Sequence, residues 1–159
     1  MPEGALLHVV LVQPEIPPNT GSIARLCAAT GVRLHLVGPL GFSLEDRYLK
    51  RAGLDYWPYV DVRVYTDWNE LAPAFAGGRQ LYYSARSRRS YLSASHRAGD
   101  WLVFGRETSG LPRDILQGKE DSTFVIPIRS PNVRSLNLSN AVSIVVYEAL
   151  RQIGAVTGV

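Results

Sequence analysis

Short apolar runs of strand length alternate along this chain with stretches that have helical periodicity. Strands are predicted over residues 6–12, 33–37, 59–65, 81–83, 101–104 and 124–128. Helices are predicted over residues 19–30, 44–52, 67–76, 112–117 and about 138–153. Strands that alternate with helices are typical of α/β proteins. We therefore predict a parallel sheet with helices on both faces, in a single domain spanning residues 1–159.

Turn and cap residues mark the ends of the predicted helices. Gly31 and Gly53 follow the first two helices, where a left-handed residue ends a helix most easily. Pro112 suits the first position of the fourth helix, whereas Pro73 weakens the middle of the third. The candidates for N-caps are Asn19 or Thr20, Asp67, and Ser139 or Asn140.

The composition excludes several protein classes. The chain has 159 residues, of which 46% are hydrophobic and 19% charged, as in ordinary globular domains. No run approaches the roughly 18 apolar residues of a membrane span, and no basic leader precedes the first apolar run, so no signal peptide is expected. Cys27 is the single cysteine, which excludes an internal disulfide and predicts a small core residue. We expect a cytoplasmic protein.

The net charge of +3 is too small to identify a nucleic-acid partner, but its distribution is informative. Residues 86–97 contain no acid and carry Arg86, Arg88, Arg89, His96 and Arg97. A solvated loop would explain this run by itself. Further arginines lie in the polar loops described below, at positions 106, 129 and 134. Taken together, they favour a phosphate-bearing partner.

Several familiar sites are absent from the sequence. Neither a dinucleotide-binding glycine pattern nor a phosphate loop with its lysine occurs, and nothing resembles a nucleophile elbow. His8, His35 and His96 are far apart and lack the spacing of metal ligands, so no metal is expected.

Three polar loops remain, each after a predicted strand. They are QPEIPPNTGSIAR at 13–25, FGRETSGLP at 104–112 and IPIRSPNVRSLNLSN at 126–140. The first leads into a helix whose N-terminus would favour an anion such as phosphate, and Arg25, about one turn inside, could reach that anion. Ser135, Asn137, Ser139 and Asn140 could bind a small polar ligand or simply cap the last helix. Because ligands of α/β proteins bind at the carboxyl ends of strands, we expect the loops to form one pocket.

The motifs in these loops resemble a known family. N-x-G-x-x-x-R at 19–25, F-G-x-E-x-x-G-L-P at 104–112 and the I-P and S-L-N-L-S-N elements within 126–140 resemble the three signature motifs of the SPOUT RNA methyltransferases. PEIPPNTG, RLCAATG, KRAGLDYW and NLSNAVSIVVYEALRQ are similar to the small single-domain branch that 2′-O-methylates the wobble nucleotide of tRNA. The resemblance covers nearly the whole chain in order.

This resemblance implies S-adenosylmethionine as methyl donor, tRNA as substrate, a homodimer and a trefoil knot in the C-terminal part. It implies cofactor contacts at Ser84, Gly105, Ile126, Ser135 and Leu136. It implies catalytic or scaffolding roles for Asn19, Arg25, Glu107, Ser135 and Asn137. Tyr147 and Glu148 lie on the helix that the family uses for dimer contact. Arg106 departs from the pattern, because proline is frequent there, and the arginine-dense 86–97 region departs as well.

Transfer of a methyl group to a ribose hydroxyl needs stabilisation of the developing alkoxide. Arginine retains its proton to pH 12 or above, so electrostatic help from Arg25 is preferred over a role as general base. Glu107 would hold either Arg25 or a neighbouring backbone amide; without the motif it would be a solvated loop acid. Two other functions stay open, an RNA- or cofactor-binding module without activity and a methyltransferase of ribosomal RNA. The tRNA isoacceptors, and the choice between cytidine and a uridine-type base, stay open as well.

Overall fold

The computed structural model describes residues 4–53 and 56–156 and shows the predicted α/β class, because six parallel strands form one sheet. The strands are β1 (His8–Val12), β2 (Arg33–Val37), β3 (Val62–Tyr65), β4 (Gln80–Tyr83), β5 (Trp101–Phe104) and β6 (Thr123–Phe124). Their order across the sheet is β3-β2-β1-β5-β4-β6. The chain therefore builds outward from β1 in one direction and then crosses to the other side, which places a topological switch point between β1 and β5.

Five α-helices connect or follow these strands. They are α1 (Pro17–Thr30), α2 (Arg47–Gly53), α3 (Trp68–Leu71), α4 (Arg113–Leu116) and α5 (Leu138–Gln152). Short 3-10 helices occupy Trp57–Tyr59, Ala72–Phe75, Tyr91–Ser93 and Glu120–Ser122. In the described part of the chain, no helix is both long and apolar enough to cross a membrane.

Both faces of the sheet are covered, as the continuous apolar runs predict for parallel strands. On one face, Val9 and Leu11 of β1 pack with residues of α1 and α5, including Ile23 and Val146. On the other face, residues of β1, β2 and β5 pack with α3 and α4 in a second cluster: Val10, Val12, Val37, Trp101, Val103, Leu71 and Ile115. Cys27 is buried in the first cluster, as predicted, and burial raises the pKa of its thiol to about 12.

Several predicted boundaries are wrong. Helix α1 begins at Pro17, and Ile16, with extended backbone, holds the N-cap position that we predicted for Asn19 or Thr20. Two prolines at the start explain this, because proline fits the first turn and forces the preceding residue out of helical geometry. Gly31 ends α1 with φ of 71°, as predicted.

Other elements are shorter than their patterns suggest. Helix α2 begins at residue 47 instead of 44 and includes Gly53; Leu54 and Asp55 of the KRAGLDYW motif lie outside the described residues. Strand β3 begins only at residue 62 because a 3-10 turn occupies 57–59. Asp67 caps α3 as predicted, but the helix becomes 3-10 at Ala72, next to Pro73. Pro112 precedes α4 as its N-cap instead of occupying its first position.

Strand β6 spans only two residues instead of the predicted five. Beyond it, the Val125 amide donates to the Arg89 carbonyl at 2.7 Å, and Val125 forms a single bridge with Ser90. The chain thus pairs with a loop after β6, and regular strand pairing stops.

Helix α5 begins at Leu138, as predicted, but its N-cap is Asn137, not Ser139 or Asn140. The Asn137 side chain accepts from the backbone amides of both those residues. One face of α5 is buried in the core through Val142, Val145, Val146, Ala149 and Leu150. Ile144 and Tyr147 on its other side are 37% and 47% exposed.

Candidate active site

Four adjacent strands direct their carboxyl ends toward the three polar loops. Strands β1, β5, β4 and β6 are neighbours in that order, and the loops that follow β1, β5 and β6 are the three motif loops. Because carboxyl ends of parallel strands meet at one edge, this order alone brings the three loops together.

Glu107 joins the second loop to the first. Its carboxylate accepts from the backbone amides of Glu15 and Ile16, both at 2.9 Å, and from the Asn19 side-chain amide at 3.2 Å. Amides at a helix N-terminus lack partners within the helix and attract negative charge. The predicted phosphate position at the start of α1 is therefore occupied by an acidic side chain of the protein itself. Of the two partners expected for Glu107, the structure shows backbone amides and not Arg25.

Asn19 and Asn137 extend this contact to the third loop. The Asn137 side-chain amide donates to the side-chain oxygen Oδ1 of Asn19 at 3.0 Å. The Asn137 oxygen accepts from the Ser139 amide at 2.9 Å and from the Asn140 amide at 3.3 Å. One hydrogen-bonded chain thus runs from Glu107 through Asn19 to the start of α5, and we call Glu107, Asn19 and Asn137 the loop clamp.

A second set of contacts ties the first two loops together. Thr108 donates to the Glu15 carboxylate through its hydroxyl at 2.7 Å and through its backbone amide at 3.1 Å, and these bonds lower the pKa of Glu15. The Arg106 guanidinium donates to the Gln13 side-chain oxygen. Gln13 has φ of 54°, the only non-glycine residue with positive φ in the described chain. Such backbone strain commonly occurs at functional loops.

A cavity of about 450 Å³ opens beside these loops. All five residues that the resemblance associates with the cofactor line it, namely Ser84, Gly105, Ile126, Ser135 and Leu136. Phe104, Phe124 and Leu138 supply apolar walls, and Glu107 and Ser109 supply polar groups. This volume lies in the range of small-molecule sites, about 300–1,000 Å³.

Gly105 is required where the second loop turns back on itself. A Cβ atom there would lie 2.1 Å from the Gly110 carbonyl carbon and 2.2 Å from the Leu111 nitrogen. Arg106 and Gly110 form an antiparallel bridge across this turn. The close backbone approach keeps the loop that carries Glu107 narrow, and any side chain at 105 would force it open.

Arg25 lies apart from the loop clamp. It is exposed and is not among the described residues that line the cavity. Its guanidinium carbon lies 4.7 Å from the centre of the Tyr56 ring. Because α1 begins at Pro17, Arg25 is about two turns inside the helix, not one.

The arginine-rich segment is less uniform than its sequence suggests. His96 is buried, with its Nε2 3.2 Å from the Tyr83 hydroxyl, and burial lowers the pKa of its ring. Arg89 forms an ion pair with Asp121 at 3.2 Å. Arg88 and Arg97 are exposed, and Arg86 lines the cavity together with Arg106 and Arg134. Arginines do rim the cavity, but His96 is a core residue and the prediction of its surface role is wrong.

Gln13, Glu15 and Thr108 form contacts that we did not anticipate, although they lie within the motif loops. Their position within the motif loops was their only sequence signal. The contacts themselves could not be predicted, because the partners are about 90 residues apart in the chain. Tyr56 lies in KRAGLDYW, one of the segments similar to the wobble-methylating branch, but no role was predicted for it. Within residues 4–53 and 56–156, no group of three His, Cys, Asp or Glu side chains could hold a metal ion.

The opposite end of the sheet holds a second polar cluster. His8 Nδ1 lies 2.9 Å from His35 Nε2, and His35 Nδ1 lies 2.9 Å from the Tyr65 hydroxyl. The His8 ring stacks on Trp101 with centroids 3.7 Å apart. Burial, helped by nearby arginines, lowers the pKa of His8 to about 4; burial and the His8 charge lower that of His35 to about 3. Both rings are neutral at pH 7.

Comparison with known proteins extends over nearly the whole chain. The profile of the SpoU rRNA Methylase family matches residues 6–147. A tRNA (cytidine(34)-2′-O)-methyltransferase of Burkholderia ambifaria is 49% identical over 152 residues, which cover 94% of this chain and 97% of that protein. A solved structure described as giving insights into the 2-OH methylation of C/U34 on tRNA is 48% identical, with a TM-score of 0.90 over 96% of this chain and 99% of that chain. A SpoU methyltransferase of Streptomyces viridochromogenes in complex with the cofactor AdoMet shares the fold at 24% identity, with a TM-score of 0.82 over 95% of this chain and 62% of that one.

Proposed function

The chain belongs to the SpoU rRNA methylase family, and we propose that it transfers a methyl group from S-adenosylmethionine to the 2′-hydroxyl of the wobble nucleotide, position 34, of tRNA. A relative named for this reaction is 49% identical over nearly its full length, which supports tRNA as the substrate. We propose cytidine or a uridine-type base at that position. The observation that carries the proposal is the convergence of the three motif loops on one cavity through the Glu107–Asn19–Asn137 clamp.

The cavity has the volume and lining that the methyl donor requires. Its apolar walls, which include Phe104, Phe124 and Ile126, suit a flat heteroaromatic ring. Its polar rim carries Ser84 and Ser135, which can hydrogen-bond an amino acid or a ribose. When bound, the donor supplies a methyl group on a positively charged sulfur. No metal is needed for this chemistry.

The loop clamp scaffolds the site and does not transfer protons. The donors to Glu107 among the described residues are amide groups, so its carboxylate acts as a fixed acceptor that holds the start of α1 against the second loop. Asn19 passes this constraint to Asn137, which fixes the start of α5 and therefore the loop that carries Ser135 and Leu136. Such preorganisation lets the cavity hold donor and acceptor in line at little further cost.

Arg25 is the residue that we assign to the RNA. Its side chain is exposed outside the cavity lining, where a ribose–phosphate backbone can reach it. A planar guanidinium can bind a phosphate oxygen and stabilise the 2′-oxygen as negative charge develops on it. The proton leaves the hydroxyl toward the neighbouring phosphate or water, because arginine keeps its own proton.

The assembly that we propose is a cytoplasmic homodimer with a C-terminal trefoil knot. Ile144 and Tyr147 are exposed apolar side chains on α5, and Val133 and Leu136 are exposed in the loop that precedes this helix. The proposed knot rests on the family resemblance. In the structure α5 lies against the segment after β4, where the Gln152 side chain bonds both the Ala94 carbonyl and the His96 amide. Arg86, Arg106 and Arg134, which line the cavity, form a positive rim for RNA phosphates.

Nucleoside mapping tests this function. Purified protein, S-adenosylmethionine and undermodified tRNA should yield a 2′-O-methylated nucleotide at position 34, detected by mass spectrometry of nuclease fragments. Ribosomal RNA in a parallel reaction should stay unmodified. Methylation of ribosomal RNA alone would refute the tRNA assignment, and donor binding without methylation of either RNA would indicate a binding module.

A further inference from the structure

Arg25 contacts an aromatic ring. Its guanidinium carbon lies 4.7 Å from the centroid of the Tyr56 ring, within the range of a cation–π contact. No hydrogen bond or ion pair of the Arg25 side chain is found within residues 4–53 and 56–156. Tyr56 is 38% exposed and precedes the 3-10 turn at Trp57–Tyr59. Among the described residues, Tyr56 is therefore the contact that restricts the orientation of the Arg25 side chain.

A contact with the face of an aromatic ring leaves the N–H donors of the guanidinium free for other hydrogen bonds. The five N–H groups of arginine lie in the plane of the guanidinium, whereas a cation–π contact engages the face of that plane. A carboxylate partner would occupy two of these donors and cancel the charge. An aromatic partner leaves both the charge and the in-plane donors available for a phosphate oxygen or a developing alkoxide.

We propose that Tyr56 is a positioning residue for methyl transfer, which restricts Arg25 to orientations that present its donors to the ribose and phosphate of the target nucleotide. This inference rests on the proposed function, in which Arg25 contacts RNA. Tyr56 itself touches neither donor nor substrate. It reduces the number of Arg25 rotamers that must be frozen when RNA arrives.

The elements on either side of Tyr56 pack against α1, the helix that carries Arg25. Helix α2 packs against α1, and the turn at Trp57–Tyr59 contacts α1 as well. Trp57 packs against the main core cluster, so the turn is anchored while Tyr56 stays near the surface. Substitution of Tyr56 should therefore change the surroundings of Arg25 with little effect on the core.

The chain offers a matched control. Arg47 lies over the Tyr48 ring at 4.8 Å, on the neighbouring α2, and donates to the Tyr48 hydroxyl at 2.9 Å. Tyr48 is 47% exposed. This pair has the same chemistry and similar exposure but does not involve Arg25.

The test compares Tyr56→Leu, Tyr56→Phe, Tyr48→Leu, Arg25→Ala and the Arg25→Ala/Tyr56→Leu double variant. Turnover is measured at saturating tRNA and S-adenosylmethionine, with donor affinity and melting temperature alongside. Tyr56→Leu should lower kcat about 2–5-fold, the range of an exposed cation–π contact, with unchanged donor affinity. Tyr56→Phe should retain most activity because it keeps the ring face. Tyr48→Leu should match the parent, and the double variant should match Arg25→Ala.

A ring series separates this electrostatic role from packing, and it applies even if Tyr56→Leu folds poorly. Phenylalanine and pentafluorophenylalanine at position 56 have nearly the same shape, but fluorination removes the negative charge of the ring face. The fluorinated variant should turn over more slowly than Tyr56→Phe. Equal rates in this pair, or parental turnover by Tyr56→Leu while Arg25→Ala is impaired, would overturn the inference. A parent protein that methylates no tRNA would instead overturn the proposed function, and an active Arg25→Ala would overturn the role of Arg25.

Discussion

Removal of the Glu107 carboxylate should loosen the site without disturbing the core. Glu107→Ala eliminates an acceptor that binds the amides of Glu15 and Ile16 at 2.9 Å and the Asn19 side chain at 3.2 Å. It also removes the negative charge at the start of α1 and breaks the chain that leads to Asn137. The buried Val, Leu and Ile positions of the sheet keep all their contacts.

The expected magnitude follows from these three bonds. A hydrogen bond to a charged group contributes about 1.5–3 kcal/mol when shielded from water and much less when exposed. Glu107 is half-buried and its bond to Ile16 is exposed, so water replaces part of the loss. We expect Glu107→Ala to reduce the free energy of unfolding by about 2–3 kcal/mol, or roughly 4–12 °C in Tm for a chain of this size. Glu107→Gln should reduce the free energy of unfolding by about half as much. Its side chain keeps one oxygen that accepts hydrogen bonds, but the other carboxylate oxygen is replaced by an NH2 group, which cannot accept from the remaining amide donors.

The assay is urea unfolding followed by tryptophan fluorescence at one fixed protein concentration, with thermal melting as a second measure. Ser109→Ala is the control for the free energy of unfolding only, since Ser109 is an exposed residue of the same loop that also lines the cavity. Affinity for S-adenosylmethionine should fall in parallel with stability across the Glu107 variants. If both Glu107 variants unfold with the parental free energy, the loop clamp does not hold the three loops together.

Substitutions outside the loop clamp test the other roles that we assign. Arg25→Ala should lower methyl transfer roughly 10²–10³-fold with donor affinity unchanged, and Arg25→Lys should restore little; a parental rate would contradict its assignment. His8 and His35 have folded-state pKa values of about 4 and about 3, so the unfolded state binds more protons as the pH falls below 6.5. Stability should therefore be greatest above pH 6.5 and decline toward pH 5, with a shallower slope in His35→Gln; a flat parental profile of Tm against pH would refute this. Light scattering should give a mass near twice 17.5 kDa for the parent protein, and Tyr147→Glu should shift this mass toward 17.5 kDa. A mass of 17.5 kDa for the parent protein would exclude a dimer. Arg88→Ala should weaken tRNA binding and reduce its salt dependence while turnover at saturating tRNA stays unchanged; an unaltered salt slope would remove Arg88 from the RNA surface.

Local patterns were sufficient for the elements whose identity depends on burial. Residues 33–37 and 101–104 are strands with the predicted bounds. Residues 101–104 are apolar throughout, as expected of a strand that is covered on both faces, whereas 33–37 combine Leu34, Leu36 and Val37 with Arg33 and His35. Helix α5 starts where its periodicity begins. The predicted ends of helices and strands were wrong where an adjacent proline or a pairing with a distant segment sets the end of the element. Two prolines moved the start of α1, and pairing of Val125 with a loop shortened β6.

The candidate site was predictable as a set of loops but not as a set of contacts. Motifs identified Asn19, Glu107 and Asn137, yet their hydrogen bonds join residues 88 and 118 positions apart. Such pairing depends on the order of strands across the sheet, which no local pattern encodes. Arg25 shows the same limit, because the residue that holds it, Tyr56, lies in a different helix–turn segment and belongs to no motif loop.

The central claim is that the methyl group goes to the 2′-oxygen of nucleotide 34. Two tRNAs, identical except for a 2′-hydroxyl or a 2′-hydrogen at that nucleotide, can be offered with isotopically labelled S-adenosylmethionine. We predict one labelled methyl group per tRNA on nucleotide 34 of the first substrate and none on the second, although both bind equally well. Equal labelling of the two tRNAs would contradict it.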